Sequence, residues 1–242
     1  MILVVAAGLR LRGIEFGLPY AYHADEPYYV SAALNLGAGI IGKQPYPTGF
    51  SNLLLVEYAA YFLSGWATGA FSSVRQFEAA YRNDPSVFLR LGRLTSAVFG
   101  VLTVICVYAI GRAFRGRLVG LGAALFVATA YLLVRDSHFG VPDIAVTFWV
   151  SVAVLANIVA LRNGPSSRLV AIAAGATGLA FMTKWSAWPV VLVLGAAIAI
   201  LWRRRGESPL RLSIASISGM FVGAGIGGAQ MFLKPGIYLD QA

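Results

Sequence analysis

Six stretches of this sequence run for 15 to 22 residues without one charged side chain: 94–111, 118–134, 144–161, 169–183, 185–202 and 212–233. An α-helix rises 1.5 Å per residue, so about 20 apolar residues cover the roughly 30 Å hydrocarbon core of a bilayer. Lipid cannot satisfy backbone polar groups, so such stretches cross as helices. The run 169–183 is the shortest, but Arg168 and Lys184 at its ends can extend their charged heads to the interface. Only 12% of the 242 residues are charged, about half the share of a soluble domain. That excludes an ordinary cytosolic enzyme, a disordered tail and a nucleic-acid-binding module. The expected fold is all-α, a polytopic membrane helical bundle forming one transmembrane domain over residues 1–242, with six spans in 94–233.

Charge assigns the two faces. The connections holding Arg112, Arg115, Arg117, Arg162, Arg168, Arg203, Arg204, Arg205 and Arg211 carry nine cations. The alternate connections carry only Arg135, Lys184 and Lys234. The positive-inside rule puts the first set in the cytoplasm and the second outside. The single cysteine, Cys106, lies in an apolar run and cannot pair within the chain.

The N-terminal part is less regular. Residues 1–9 are apolar but too short to span alone, and an upstream stretch is expected. Residues 19–52 are polar, aromatic and rich in Pro and Gly. The run 53–71 holds one acid, Glu57, with Tyr58, Tyr61, Phe62 and Trp66. It either spans or lies in the interface; the aromatics favour an interfacial helix. A flat helix makes 19–93 one long outer loop on the same face as Asp143. A spanning helix puts residues 19–52 on the opposite face. Gly219, Gly223 and Gly227 recur every four residues and read as a packing stripe.

Three clusters can carry chemistry. Asp25 and Glu26 are adjacent acids among aromatics, beside His23 and Pro27; near a membrane such acids default to function, though an N-cap in a solvated loop is the plain alternative. The loop 135–143 holds Arg135, Asp136, His138 and Asp143. Its plain reading is an Arg–Asp pair with Asp143 capping the next helix. Lys184 stands between two apolar runs, either as an interfacial anchor or as a cation aimed at a phosphate. If 53–71 does not cross, all three share one face. Carboxylates and cations at a lipid boundary suit sugar transfer from a lipid phosphate. Asp25 would take the acceptor hydroxyl's proton as general base. Arg135 and Lys184 would neutralise the departing phosphate. Asp143 would orient the acceptor or, with Glu26, help hold a divalent cation; His23, His138 and Asp136 are further acceptor or metal candidates. No nucleotide cofactor is needed, because the lipid phosphate is the leaving group.

The stretch Arg12-Gly-Ile-Glu-Phe-Gly-Leu-Pro-Tyr-Ala-Tyr-His-Ala-Asp-Glu-Pro27 resembles the end of the first membrane helix and the acidic motif of the GT-C glycosyltransferases. It is most similar to the dolichyl-phosphate-mannose–protein mannosyltransferase and aminoarabinose transferase superfamily (glycosyltransferase family 39-like). Arg135-Asp-Ser-His-Phe-Gly-Val-Pro-Asp143 resembles that family's second outer loop, and Gly178-Leu-Ala-Phe-Met-Thr-Lys-Trp-Ser186 its Thr-Lys-Tyr-type segment. The resemblance implies a GT-C-like bundle whose long outer loop carries interfacial helices. It maps the catalytic acid onto Asp25, the second acid onto Glu26 and the next loop's acid onto Asp143. It implies a polyprenyl-phosphate sugar donor and a hydroxyl acceptor on protein, glycolipid or polysaccharide. The expected location is a bacterial inner membrane, with the site facing outward. Family members are longer, so the chain is expected to be the N-terminal part of a larger module. The competing readings are a glycolipid transporter or flippase, which would favour ionisable groups within the spans, and a non-catalytic scaffold, which would tolerate loss of Asp25.

Overall fold

The computed structural model describes residues 1–42, 46–164 and 166–234. They form eleven α-helices: α1 (Ile2–Leu11), α2 (Glu26–Gly37), α3 (Gly49–Ala67), α4 (Val74–Asn83), α5 (Ser86–Arg115), α6 (Arg117–Thr129), α7 (Tyr131–Asp136), α8 (Pro142–Asn163), α9 (Ser167–Thr183), α10 (Val190–Arg205) and α11 (Pro209–Leu233). A single 3₁₀ turn, Trp185–Ala187, leads into α10. No strand is present among the described residues.

Four helical segments are long and apolar enough to cross a membrane: Ser86–Arg115, Pro142–Asn163, Trp185–Arg203 and Pro209–Leu233. The other two apolar runs differ from the simple expectation. The run 118–134 is split at Ala130, whose extended backbone (φ −61°, ψ 120°) separates α6 from α7. The run 169–183 forms the 17-residue α9.

The break at Ala130 has a partner. Ending α6 leaves carbonyls without intrahelical donors. The buried Arg10 of α1 donates to the carbonyls of Val127 (3.2 Å) and Ala128 (3.0 Å), and to its own helix at Ala6 (3.1 Å). A guanidinium with several fixed donors replaces the missing helical N–H groups, and thereby fastens α1 to the bundle.

Sequence signals set most helix ends. Ser86 N–H donates to Asp84 Oδ1 (3.0 Å) just ahead of α5. Pro142 and Pro209 occupy first-turn positions of α8 and α11, where a missing N–H is harmless. Ser166 accepts from Leu169 N–H at the start of α9. α11 is kinked at Gly228, whose backbone is non-helical.

The predicted glycine stripe is the contact between α9 and α11. A Cβ on Gly223 would run into the carbonyl of Gly175, and one on Gly219 into that of Ala171. Backbones this close gain packing that lipid cannot supply. Gly223→Val is expected to cost at least about 1–3 kcal/mol of stability by overpacking, read as a lower Tm in detergent. Gly225→Ala, on a side with open space, should leave Tm unchanged.

α2, α3 and α4 pack over the end of the bundle where α5 begins. Their shared core is aromatic: Tyr29, Phe50, Tyr58, Phe71, Phe77 and Phe88, with Leu54. Tyr58 donates its hydroxyl to the Phe88 carbonyl at 3.0 Å, joining α3 to the start of α5. α3 is 19 residues long but falls outside the four membrane-length apolar segments. It starts at Gly49, ahead of the run 53–71, and ends at Ala67, beyond which Phe71 folds back against Gly65.

Candidate active site

Glu26 and Arg93 organise the end of the bundle. Arg93 donates from Nε to Glu26 Oε1 (2.8 Å) and from Nη2 to Oε2 (3.0 Å), and Gly140 N–H donates to Oε1 (2.9 Å). Arg93 Nη1 donates to the carbonyls of Ile14 (3.0 Å) and Phe16 (2.8 Å). Glu26 is 0% exposed and Arg93 1%. Four segments meet at this pair: the 12–20 turns, α2, α5 and the 137–141 loop. α3 therefore does not put the N-terminal acids at the opposite end from the 135–143 loop.

Asp25 is next to this anchor and differs from it in every respect. It occupies the N-cap position of α2, but its carboxylate makes no capping bond. It is exposed. Among the described residues its carboxylate has no hydrogen-bond or ion-pair partner. Its backbone N–H donates to His23 Nδ1 at 3.2 Å, which leaves the proton of a neutral His23 on Nε2.

Tyr29 lies one helical turn beyond Asp25 and is 4% exposed. Its ring contacts Phe50 (5.5 Å), Tyr28 (5.1 Å) and Tyr46 (6.3 Å). Burial pushes its hydroxyl well above the usual phenol range, and the negative charges of Asp25 and Asp143 add to this. Both acids thus act on one hydroxyl, which stays protonated.

Asp143 does not cap α8. The N-cap position is Val141, and no side-chain cap bond forms there. The Asp143 carboxylate instead accepts from Lys184 Nζ at 2.6 Å. Both side chains are 40% exposed. Lys184 follows the last residue of α9, and the start of α3 holds that corner. Asn52 Nδ2 donates to the Gly227 carbonyl (2.9 Å) beside the α11 kink, and Gln230 Nε2 donates to Asn52 Oδ1 (2.8 Å). Thr48 donates to Gln230 Oε1 (3.1 Å).

The remaining candidates take other roles. Arg135 pairs with Asp136 at 2.7 Å and is exposed; the Asp143 charge also reaches it. His138 has both ring nitrogens against backbone carbonyls, Val134 (2.8 Å) and Arg12 (3.0 Å). It ties the loop to the end of α1 and turns neither nitrogen outward. Among the described residues no three His, Cys, Asp or Glu side chains come together as a metal cage. The candidate centre is thus Asp25, Tyr29, Asp143 and Lys184, with the Arg135–Asp136 pair on the loop ahead of Asp143 and Glu26–Arg93 anchoring the residue after Asp25. Arg93 and Tyr29 were not among the sequence candidates. A cation just ahead of an apolar run reads as an ordinary flank, and a tyrosine among tyrosines carries no signal.

A bundle of apolar helices capped at one end by short helices, with acids and a lysine gathered there, has the architecture of the GT-C class of membrane glycosyltransferases. Within that class the chain belongs to the dolichyl-phosphate-mannose-protein mannosyltransferase family, whose model matches residues 89–226, more than half of the chain. It is a multi-pass membrane protein. Among solved structures it is similar to the Saccharomyces cerevisiae protein O-mannosyltransferase Pmt1–Pmt2 complex bound to the sugar donor, with a TM-score of 0.66 and 19% identity over 98% of this chain. The chain spans 32% of the length of that structure's chain. No curated protein matches the sequence.

Proposed function

We propose that the protein transfers a sugar from a polyprenyl-phosphate donor to a hydroxyl acceptor, with Asp25 as general base. The observation that carries this is the contrast at the start of α2. Glu26 is fixed in a buried ion pair, while the neighbouring Asp25 carboxylate is exposed and has no partner among the described residues. A base must reach its substrate within hydrogen-bond distance, and Asp25 is the acid left free to do so.

The acceptor oxygen attacks the anomeric carbon as Asp25 takes its proton. The bond from that carbon to the phosphate oxygen breaks, and the electron pair leaves with the lipid phosphate. Lys184 meets the developing charge. An ammonium has three donors, and Asp143 uses one. The pair is half exposed, so it holds with at most about 1 kcal/mol and yields readily to a phosphate. Asp143 orients Lys184 and, with the Tyr29 hydroxyl, the acceptor. Arg135, which the Asp143 charge reaches, would serve as a second cation once it releases Asp136.

An apolar cavity of about 390 Å³ is lined by Phe181, Met182, Trp188, Val191, Met220 and Phe221, from segments that flank Lys184 in sequence and from α11. It suits the first isoprene units of the donor, whose phosphate Lys184 would then meet. The helix ends remote from the site carry the nine-arginine set, and there Arg162 donates to the Phe114 carbonyl at 3.3 Å. The positive-inside rule then favours the non-cytoplasmic face for the site.

The test is an assay of the full-length protein with radiolabelled polyprenyl-phosphate sugars. Lys184→Ala should raise the donor KM by at least about 10-fold, as loss of a charge-assisted phosphate contact predicts, with little change in the acceptor KM. Equal effects on both substrates would assign Lys184 to structure alone. Failure of every polyprenyl-phosphate sugar to serve as donor would refute the reading.

A further inference from the structure

Away from these residues, α3 and α5 border a second, open cavity of about 310 Å³. Its walls are Leu53, Val56, Leu91, Leu94, Val98 and Phe99, and its polar lining is Glu57 and Thr95. Glu57 Oε1 is in short contact with Thr95 Oγ1. Glu57 Oε2 is buried and has no hydrogen-bond partner. Thr95 Oγ1 also lies 3.2 Å from the Leu91 carbonyl. A hydroxyl carries one proton, so Thr95 cannot donate to both oxygens at once. Both contacts are satisfied when Glu57 is a protonated carboxyl that donates to Thr95 while Thr95 donates to Leu91. Burial acts in the same direction, pushing the Glu57 carboxyl above the usual carboxylate range.

We infer that Glu57 and Thr95 form a second ligand site, which takes the hydroxyl of a neutral membrane lipid and lays its chain along the apolar walls. The chemistry selects the occupant. Among the described residues no Lys or Arg lines the cavity, so a phosphate head would stand uncompensated beside a carboxyl. An ammonium would require the ionised carboxylate among apolar walls, where desolvation opposes it. A bare alkyl chain would leave Oε2 without a partner, a cost like that of a lost hydrogen bond. A lipid hydroxyl donates to Oε2 and fills the cavity with its chain. The terminal carboxyl torsion is broad, so a small turn offers Oε2 to the hydroxyl while Oε1 keeps its contact with Thr95. This site does not depend on the roles of Asp25 or Lys184.

The test uses N,N′-dicyclohexylcarbodiimide on the full-length protein in phosphatidylcholine vesicles at neutral pH, with adducts mapped by mass spectrometry. The reagent needs a protonated carboxyl in an apolar setting. The carboxyl proton passes to a carbodiimide nitrogen, the carboxyl oxygen bonds to the central carbon, and nothing leaves. Glu57 should be modified. 1-Hexadecanol should suppress the adduct about 5-fold more than hexadecane, the factor one hydrogen bond supplies. Dodecyl phosphate should protect no better than hexadecane. A photoreactive hexadecanol should crosslink to α3 or α5 in the unaltered protein and in Glu57→Gln, whose amide carbonyl still accepts, and should lose most of that crosslinking in Glu57→Leu. An unmodified Glu57, equal protection by hexadecane and hexadecanol, or crosslinking unchanged in Glu57→Leu would each overturn the site.

Discussion

Asp25→Asn should lower sugar transfer by at least about 100-fold, the contribution of a positioned general base, while expression, membrane insertion and Tm stay as they are. The two halves of this expectation have separate causes. Asparagine keeps the shape and the N-cap position but cannot take a proton. The stability half follows because the Asp25 carboxylate is exposed and holds no other described group. Steady-state transfer by the full-length protein, alongside a melting curve, reads both. Turnover near that of the unaltered protein would remove Asp25 from the role.

The opposite pattern is expected one residue on. Glu26→Ala or Arg93→Leu should destabilise the protein by about 3–5 kcal/mol, because each leaves an unpaired charge in a buried site. Arg93→Leu also strips donors from the Ile14 and Phe16 carbonyls. The double variant Glu26→Leu/Arg93→Leu removes both charges and should recover much of the lost Tm, since apolar replacement of a whole buried pair is often close to neutral. Transfer should stay low in the double variant, because the pair also sets where α2 begins and hence where Asp25 stands. Recovery of stability and transfer together would show that the pair does not position the acid.

These two neighbours show how far the sequence could be read. The acidic pair stood out because two carboxylates beside a membrane segment are costly to place. Nothing local said that they differ. Glu26 is buried because Arg93, 67 positions later, and Gly140, 114 positions later, converge on it, and such long-range partners leave no periodic trace. The apolar runs were legible for the opposite reason. Their cause is the bilayer, which acts on each segment by itself, so α5, α8, α10 and α11 fall where the uncharged stretches lie. The break at Ala130 was invisible, as it has neither Pro nor Gly and depends on Arg10 of another helix. Asp143 beside Pro142 reads locally as a cap, and only the fold brings Lys184 to it. The Thr48–Asn52–Gln230 network is likewise tertiary, joining residues about 180 positions apart that look ordinary in their own neighbourhoods.

The gathering of Asp25, Asp143 and Lys184 on one membrane face is tested most directly by sided labelling of single cysteines in sealed vesicles, with Cys106 first replaced by Ser. Ala24→Cys and Ser186→Cys, each exposed and adjacent to Asp25 or near Lys184, should react with an impermeant maleimide from the same side. Arg117→Cys, at the far end of the bundle, should react only from the other. Labelling of Ala24→Cys and Ser186→Cys from opposite sides would contradict the account.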